Sequence, residues 1–319
     1  AIVKKNYGPE GVAVEDVAAN PAEHLAAIES PLARALVWGA AWDATRDAES
    51  PARDYVRLVL NNIATETEST TIRTTLMQLA AVARTYVDPA TRAQTIEEVA
   101  DALWQLAQGA EAGSDAQFQF VQYFANLAAT PAHGEVLAGL RDGSITLPGL
   151  EIDTDLDWLL LEGLALVGAA TGDDIDAALA KDNTSNGQQA AARARAALPD
   201  AASKRATFDH LVSDDSVPNA IVRMTCLGWQ HANDPSAFEG LVEPYFAALT
   251  SIWNDRSYKI AEYLVLGLYP AALANQTLVE ATRAWLDANP GIPALRRLVT
   301  ENLAGVERAI AAQERDARG

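Results

Sequence analysis

Apolar residues recur along the chain with the spacing of helices that are buried on one side. Val56, Val59, Leu60 and Ile63 lie at positions i, i+3, i+4 and i+7, which places them on one face of a helix. Alternating apolar and polar residues, the pattern of strands, occur only in short isolated stretches, so we expect no sheet. The helical pattern recurs at 72–83, 96–106, 158–167, 174–181, 188–197, 199–212, 217–231, 237–253, 258–268, 278–288 and 294–314.

Proline repeatedly follows a residue that can cap a helix. A Ser, Thr, Asp or Asn oxygen at the cap accepts a hydrogen bond from an unpaired backbone N–H of the first turn. Proline at the next position loses nothing, because its missing N–H would have no partner within the helix. These pairs predict helix starts at Asn20-Pro21, Ser30-Pro31, Ser50-Pro51, Asp88-Pro89, Thr130-Pro131 and Asp234-Pro235.

The predicted helices are joined by short connections, so consecutive helices should be antiparallel. At 319 residues the chain exceeds the size at which a single core stops growing. We therefore predict an all-α fold, a curved superhelical array of antiparallel helix pairs like that of HEAT and armadillo proteins. Residues 20–319 should form this domain, with possible halves at 20–142 and 154–319, and residues 1–19 a linker or the end of a preceding domain.

The chain is acidic, with 43 Asp and Glu residues against 24 Lys and Arg residues and a formal net charge of −19. Affinity for nucleic acid rests on Lys and Arg that neutralise phosphates, so nucleic acid is not an expected partner. An anionic membrane surface is disfavoured for the same reason. No apolar run reaches the ~20 residues that a membrane-spanning helix needs.

The residues that carry most protein chemistry are sparse. The single cysteine, Cys226, lies in an apolar helical stretch and is expected to be a buried small side chain. The four histidines, His24, His133, His210 and His231, form no HExxH or Glu-x-x-His pattern. We therefore predict no catalytic, cofactor-binding or metal-binding residue in this chain.

Aromatic and arginine side chains are the remaining candidates for binding. A curved helical array offers a concave groove, and arginine binds carboxylates through two hydrogen bonds. Each arginine could equally be a solvated helix position, and each tryptophan could fill the core. The peptide-binding candidates are Arg73, Arg84, Trp104, Arg256 and Arg296.

One block near the start of the chain is distinctive. Residues 27–43 have the sequence AIESPLARALVWGAAWD, and matching blocks follow at 46–47, 51–55, 186–188, 266–270, 293–297 and 307–316. Together these blocks resemble the C-terminal helical domain of bacterial aminopeptidase N, a family of zinc-dependent gluzincin aminopeptidases. The resemblance covers residues 21–316.

The resemblance implies a bowl of HEAT-like helix pairs that closes over a preceding catalytic domain and encloses the peptide. In that family the catalytic domain carries HExxH and the Gly-x-Met-Glu-Asn motif, and neither occurs here. The expected partners are therefore a catalytic domain of the same polypeptide, which holds the zinc, and a peptide substrate. The expected compartment is the cytoplasm.

Two other functions remain open from the sequence. A free-standing helical-repeat adaptor that binds proteins would have much the same sequence. An all-α enzyme with an unrecognised carboxylate site is the third possibility. No pair of carboxylates stands out as a general acid and base, so this possibility ranks last.

Overall fold

The computed structural model describes residues 25–319. The predicted linker at residues 1–19 and the predicted helix start at Asn20-Pro21 lie outside the described residues. Over the described part the chain forms fifteen α-helices and no strand, which confirms the predicted all-α class. The chain divides into two compact units.

The first unit contains the described residues up to Leu127 together with Thr146–Glu151 and Ala311–Gly319. A π-helical segment, Val82–Tyr86, continues directly from its third helix. Its helices are α1 (Pro31–Arg46), α2 (Ala52–Asn62), α3 (Ser69–Ala81), α4 (Arg92–Gly109) and α5 (Asp115–Leu127).

The second unit contains Ala128–Ile145 and Ile152–Ile310. The last helix, α15 (Pro293–Ala317), begins in this unit, and its residues from Ala311 belong to the first. The other helices are α6 (Pro131–Asp142), α7 (Thr154–Leu166), α8 (Gly172–Lys181), α9 (Ser185–Ala196), α10 (Ala201–Ser213), α11 (Asn219–Gln230), α12 (Val242–Asp255), α13 (Tyr258–Gly267) and α14 (Gln276–Ala288).

In both units a recurrent pattern is that a helix packs against a neighbour in sequence or against the next helix but one. In the first unit α1, α3 and α5 lie side by side, and α2 lies beside α4. In the second unit α7, α9, α11 and α13 form a continuous row. We call these two sets the odd rows. This packing of alternate helices confirms the predicted array of helix pairs, while the division into 20–142 and 154–319 stays a prediction.

Two of the proline pairs start α-helices as predicted. Ser30 Oγ accepts a hydrogen bond from the backbone N–H of Ala33 at 3.4 Å, with Pro31 in the first turn of α1. Thr130 Oγ1 does the same for His133 at 3.2 Å at the start of α6. The cap and proline pattern therefore marks these ends to the residue.

The other described pairs depart from the prediction. Pro51 itself occupies the cap position of α2. Asp88-Pro89 begins a turn, and α4 starts after that turn, at Arg92. Asp234 caps a 3₁₀-helix, Pro235–Leu241, rather than an α-helix. The helix predicted at 237–253 is divided here, because Pro244 cannot donate a hydrogen bond to the preceding turn and so must lie in a first turn, that of α12.

The apolar stripes predicted from the sequence form the core. Ile72, Leu76 and Leu79 on α3 are fully buried, as are Ile96 and Leu103 on α4. Removing this much apolar surface from water is the main favourable term in folding.

The end of the last helix holds the first unit together. Asp316 Oδ1 accepts hydrogen bonds from the backbone N–H of Arg53 at 2.8 Å and from its Nε at 3.2 Å. Asp316 Oδ2 accepts one from the backbone N–H of Asp88 at 2.9 Å. The Asp316 side chain is buried, so one carboxylate caps the first turn of α2 and anchors the turn before α4.

Substituting Asp316→Ala should lower the free energy of unfolding of the first unit by about 3 kcal/mol. It leaves two part-buried backbone donors without their carboxylate acceptor and removes the charge that balances Arg53. Thermal and urea unfolding measure this change. Glu314→Ala is the matched control, because Glu314 is exposed and its nearest ion-pair partner, Arg318, is 3.9 Å away. Equal stability of the two variants would contradict the role given to Asp316.

Candidate functional site

The exposed apolar side chains are not spread evenly over the molecule. Among the described residues six large apolar side chains are exposed, with 37 % to 67 % of their surface accessible. All six lie on helices of the odd rows, and none lies on an even-numbered helix. They are Leu32 and Leu36 on α1, Met77 on α3, Leu227 on α11, and Tyr258 and Leu266 on α13.

Glycines bring the helices of the second unit's odd row into close contact. A Cβ at Gly228 on α11 would overlap the carbonyl oxygen of Arg193 on α9 and lie 2.8 Å from its carbonyl carbon. A Cβ at Gly267 on α13 would overlap the side chain of Cys226 and lie 2.7 Å from its Sγ. Both positions therefore require the absence of a side chain.

This packing fixes the direction of the exposed leucines. Cys226 Sγ contacts the carbonyl of Tyr263 at 3.6 Å, and Gln230 Nε2 donates to the carbonyl of Gly267 at 2.9 Å, so α11 and α13 run parallel. Successive helical residues are rotated by about 100°. Leu227 follows Cys226 and Leu266 precedes Gly267, so both leucines turn to the same side of the helix pair.

Arg223 lies on the same helix face as Leu227, one turn earlier. Its side chain is exposed and makes no hydrogen bond or ion pair within the described residues. In so acidic a chain this is unusual, and it leaves the guanidinium available for a ligand. Arg223 is not among the binding residues predicted from the sequence, although its spacing from Leu227 repeats that of Arg73 from Met77.

Arg73, a predicted binding residue, occupies the corresponding position in the first unit. It is exposed on α3, one turn before Met77, and its side chain also makes no hydrogen bond to any residue that the structure describes. Tyr123 on α5 donates from its hydroxyl to the Arg73 carbonyl at 3.4 Å. Burial raises the pKa of Tyr123, and the nearby Arg73 charge opposes this rise.

Three other predicted arginines use their guanidinium groups within the fold. Arg84 donates to the side chain of Asn126 at 2.9 Å and also to its carbonyl near the end of α5. Arg256 donates to the carbonyl of Val212 at 2.9 Å, at the end of α10. Arg296 donates to the carbonyls of Asn289 at 2.9 Å and of Leu286, at the end of α14.

These contacts give the three arginines a structural role. The last carbonyls of a helix have no partner within it, and cations also interact favourably with the negative end of the helix dipole. Each guanidinium therefore completes the end of a helix. Peptide binding by these three residues, like that by Arg73, stays a prediction.

Trp104, the remaining predicted residue, is half-buried on the even-numbered helix α4. Its ring packs against Phe124 of α5 with 5.4 Å between centroids. The tryptophan thus fills the space between adjacent helices of the first unit. Trp104 is not one of the six exposed apolar residues, which all lie on odd-numbered helices, and peptide binding by it stays a prediction.

A buried charged cluster connects α7, α9 and the end of α11. Glu162 lies 2.7 Å from Nδ1 of His231 and accepts a hydrogen bond from Arg193 Nε, with Oε2 at 2.8 Å. Burial alone would raise the pKa of Glu162. The hydrogen bonds and charges of His231 and Arg193 outweigh burial, so the Glu162 pKa lies below its usual value.

Lys204 lies beside this cluster and is completely buried. Its Nζ donates to the carbonyls of Ala196 at 2.8 Å, Trp229 at 3.0 Å and His231 at 3.2 Å. The lysine therefore joins the ends of α9 and α11. Burial lowers the pKa of Lys204 to about 7, against the attraction of Asp200 and Glu162.

Cys226 is buried as predicted, and burial raises the pKa of its thiol to about 12. No group of three His, Cys, Asp or Glu side chains in residues 25–319 could hold a metal ion. Within the same range no helix is both long enough and apolar enough to cross a bilayer.

Comparison with known proteins places these features in a family. The model of the ERAP1-like C-terminal domain matches residues 15–308. Aminopeptidase N of Streptomyces lividans is 38 % identical over 295 residues, which are 92 % of this chain and 34 % of that protein. The chain thus spans about a third of that relative's length. The resemblance found in the sequence is confirmed, and the chain belongs to the ERAP1-like C-terminal domain family.

Proposed function

We propose that this chain is the non-catalytic C-terminal domain of a cytoplasmic zinc aminopeptidase that removes N-terminal residues from peptides. In this proposal a catalytic domain of the same polypeptide supplies the zinc and the reacting groups. This chain caps the active site and encloses and positions the peptide. Its similarity to aminopeptidase N, of which it spans about a third, supports this assignment.

The observation that carries the proposal is the restriction of exposed large apolar side chains to the odd rows. A peptide bound in a chamber exchanges its hydration for contacts with the chamber wall, so apolar groups on one wall lower its free energy. Binding that holds the peptide also orients its N-terminus, which speeds hydrolysis elsewhere in the molecule.

The exposed apolar surfaces also suit a free-standing adaptor, which is the alternative function. The coding region upstream of Ala1 separates the two. A sequence with HExxH and a further Glu ligand ~20 residues later supports the aminopeptidase. A reading frame that starts at or near Ala1 contradicts it and favours the adaptor.

A substitution on the odd row tests the role in peptide positioning. In the polypeptide that includes the catalytic domain, Met77→Glu should lower kcat/KM about five- to tenfold for long peptides. It should leave the hydrolysis of an aminoacyl p-nitroanilide unchanged, because that substrate is too short to reach α3. Steady-state kinetics with both substrates measures the difference.

Ala206→Glu provides the matched control for this experiment. Ala206 is exposed on the even-numbered helix α10 and receives the same charge in a different place. We expect this variant to match the unsubstituted enzyme on both substrates. An equal loss in the two variants, or a loss on the short substrate alone, would count against the proposed positioning role.

A further inference from the structure

We propose that Arg223, Leu227 and Leu266 form a subsite for a peptide segment that carries an acidic side chain next to an apolar one. This inference rests on the proposed function, since it assumes that the odd row of the second unit faces a peptide. It adds the class of peptide that this surface selects.

The first argument is the state of Arg223. Most Lys and Arg side chains of residues 25–319 donate to a carboxylate or a carbonyl; four have no such partner in the described part of the chain, namely Arg73, Lys181, Arg223 and Arg308. An exposed guanidinium with no internal partner can form two parallel hydrogen bonds with an incoming carboxylate.

The second argument is the apolar surface beside Arg223. Leu227 lies one turn further along α11, and Leu266 of α13 turns to the same side of the helix pair. Lys181 and Arg308 have no such neighbours, since the residues four positions away on their helices are alanines, Ala177 for Lys181 and Ala304 and Ala312 for Arg308. Arg223 therefore combines a free cation with an apolar contact surface.

The third argument is local charge. Lys259 Nζ and Glu262 Oε2 on α13 are 2.5 Å apart and neutralise each other. Arg193 of α9 is paired with Glu162. Arg223 has no such partner within the described residues, in a chain whose net charge is −19. A carboxylate is repelled by most of the surface and attracted here, so the site is selective.

The test measures binding to the 319-residue chain directly, so it does not depend on catalysis. Two fluorescent peptides with amidated C-termini contain Leu followed by Glu or by Gln, and their affinities are compared by fluorescence anisotropy. We expect the Glu peptide to bind about tenfold more tightly, because a charged hydrogen-bonded pair is lost with Gln. The preference should weaken as salt is added.

Variants assign the preference to its residue. Arg223→Gln should remove the difference between the two peptides, whereas Arg308→Gln, which removes the same charge from another exposed arginine, should retain it. Leu227→Ser should weaken both peptides equally. Circular dichroism checks that each variant is folded.

Several results would overturn the inference. Equal binding of the Glu and Gln peptides would mean that the site does not recognise an acidic side chain. If the Arg223→Gln variant still prefers the Glu peptide to the Gln peptide, a residue other than Arg223 recognises the carboxylate. If the Gln peptide with a free C-terminal carboxylate binds as tightly as the amidated Glu peptide, the ligand is the peptide terminus and not the Glu side chain. If no peptide binds, the subsite is wrong, while the upstream coding region still decides the proposed function.

Discussion

Gly228→Ala should destabilise the second unit by at least about 3 kcal/mol. The new methyl group would overlap the carbonyl oxygen of Arg193, which belongs to the backbone of α9 and cannot rotate away. Relief requires α9 and α11 to separate. Because Arg193 also binds Glu162, separation of the helices strains the buried cluster as well.

Gly305→Ala is the control for this substitution. Gly305 lies inside α15, and a Cβ there would have no atom within 4 Å. Alanine is a better helix former than glycine by about 1 kcal/mol, so we expect this variant to be slightly more stable than the unsubstituted chain. Urea unfolding followed by circular dichroism measures both. A Gly228→Ala variant as stable as Gly305→Ala would mean that the helices are less closely packed than described.

The sequence is sufficient to predict the helices, because burial imposes a period that can be counted. The stripe Ile72, Leu76, Leu79 is buried as its spacing requires. The roles of Gly228 and Gly305 could not be predicted in this way. Both are glycines inside helical patterns, and nothing near them in the sequence distinguishes their roles. What distinguishes them is the neighbouring helix, which only the three-dimensional packing supplies.

Long cationic side chains were the least predictable part of the candidate site. Arg84, Arg256 and Arg296 each reach a carbonyl at the end of another helix, over 42 residues of sequence in the case of Arg84. Such a contact depends on where the two helices meet and leaves no local pattern. Arg73, in contrast, lies on the exposed face of its helix. The spacing of the apolar residues is sufficient to predict which face of a helix is exposed.

The buried cluster of Glu162, Arg193 and His231 has no local signature in the sequence. Glu162 and His231 are separated by 69 residues, and Glu162 lies in an otherwise apolar stretch. Their pairing depends on α7 and α11 both adjoining α9, which is a consequence of packing alternate helices in a row. Polar residues at buried positions of such a row therefore connect neighbouring helices to each other.

Lys204→Met should lower the free energy of unfolding of the second unit by about 3 kcal/mol near neutral pH. Methionine fills a similar volume but donates nothing, so the carbonyls of Ala196, Trp229 and His231 lose a common donor in a buried place. Lys181→Met is the control, because Lys181 is exposed at the end of α8 and should change stability by less than about 0.5 kcal/mol.

The same variant makes the effect of pH measurable. Burial lowers the pKa of Lys204 to about 7, whereas an unfolded lysine keeps a pKa of about 10.4. Below pH 7 both states hold the proton, and the cost of burying the charge is constant. Between pH 7 and about 10 the unfolded state binds more protons than the folded state, so this residue makes the folded state more stable as pH rises.

The gap in unfolding free energy between the unsubstituted chain and Lys204→Met should therefore widen above pH 7, by up to about 1.4 kcal/mol per pH unit. Urea unfolding of both proteins at a series of pH values gives the gap directly. Other titrating groups are common to both proteins and cancel in the difference. A constant gap from pH 6 to pH 9 would mean that Lys204 keeps its proton when folded, and that its three carbonyl partners outweigh the cost of burial.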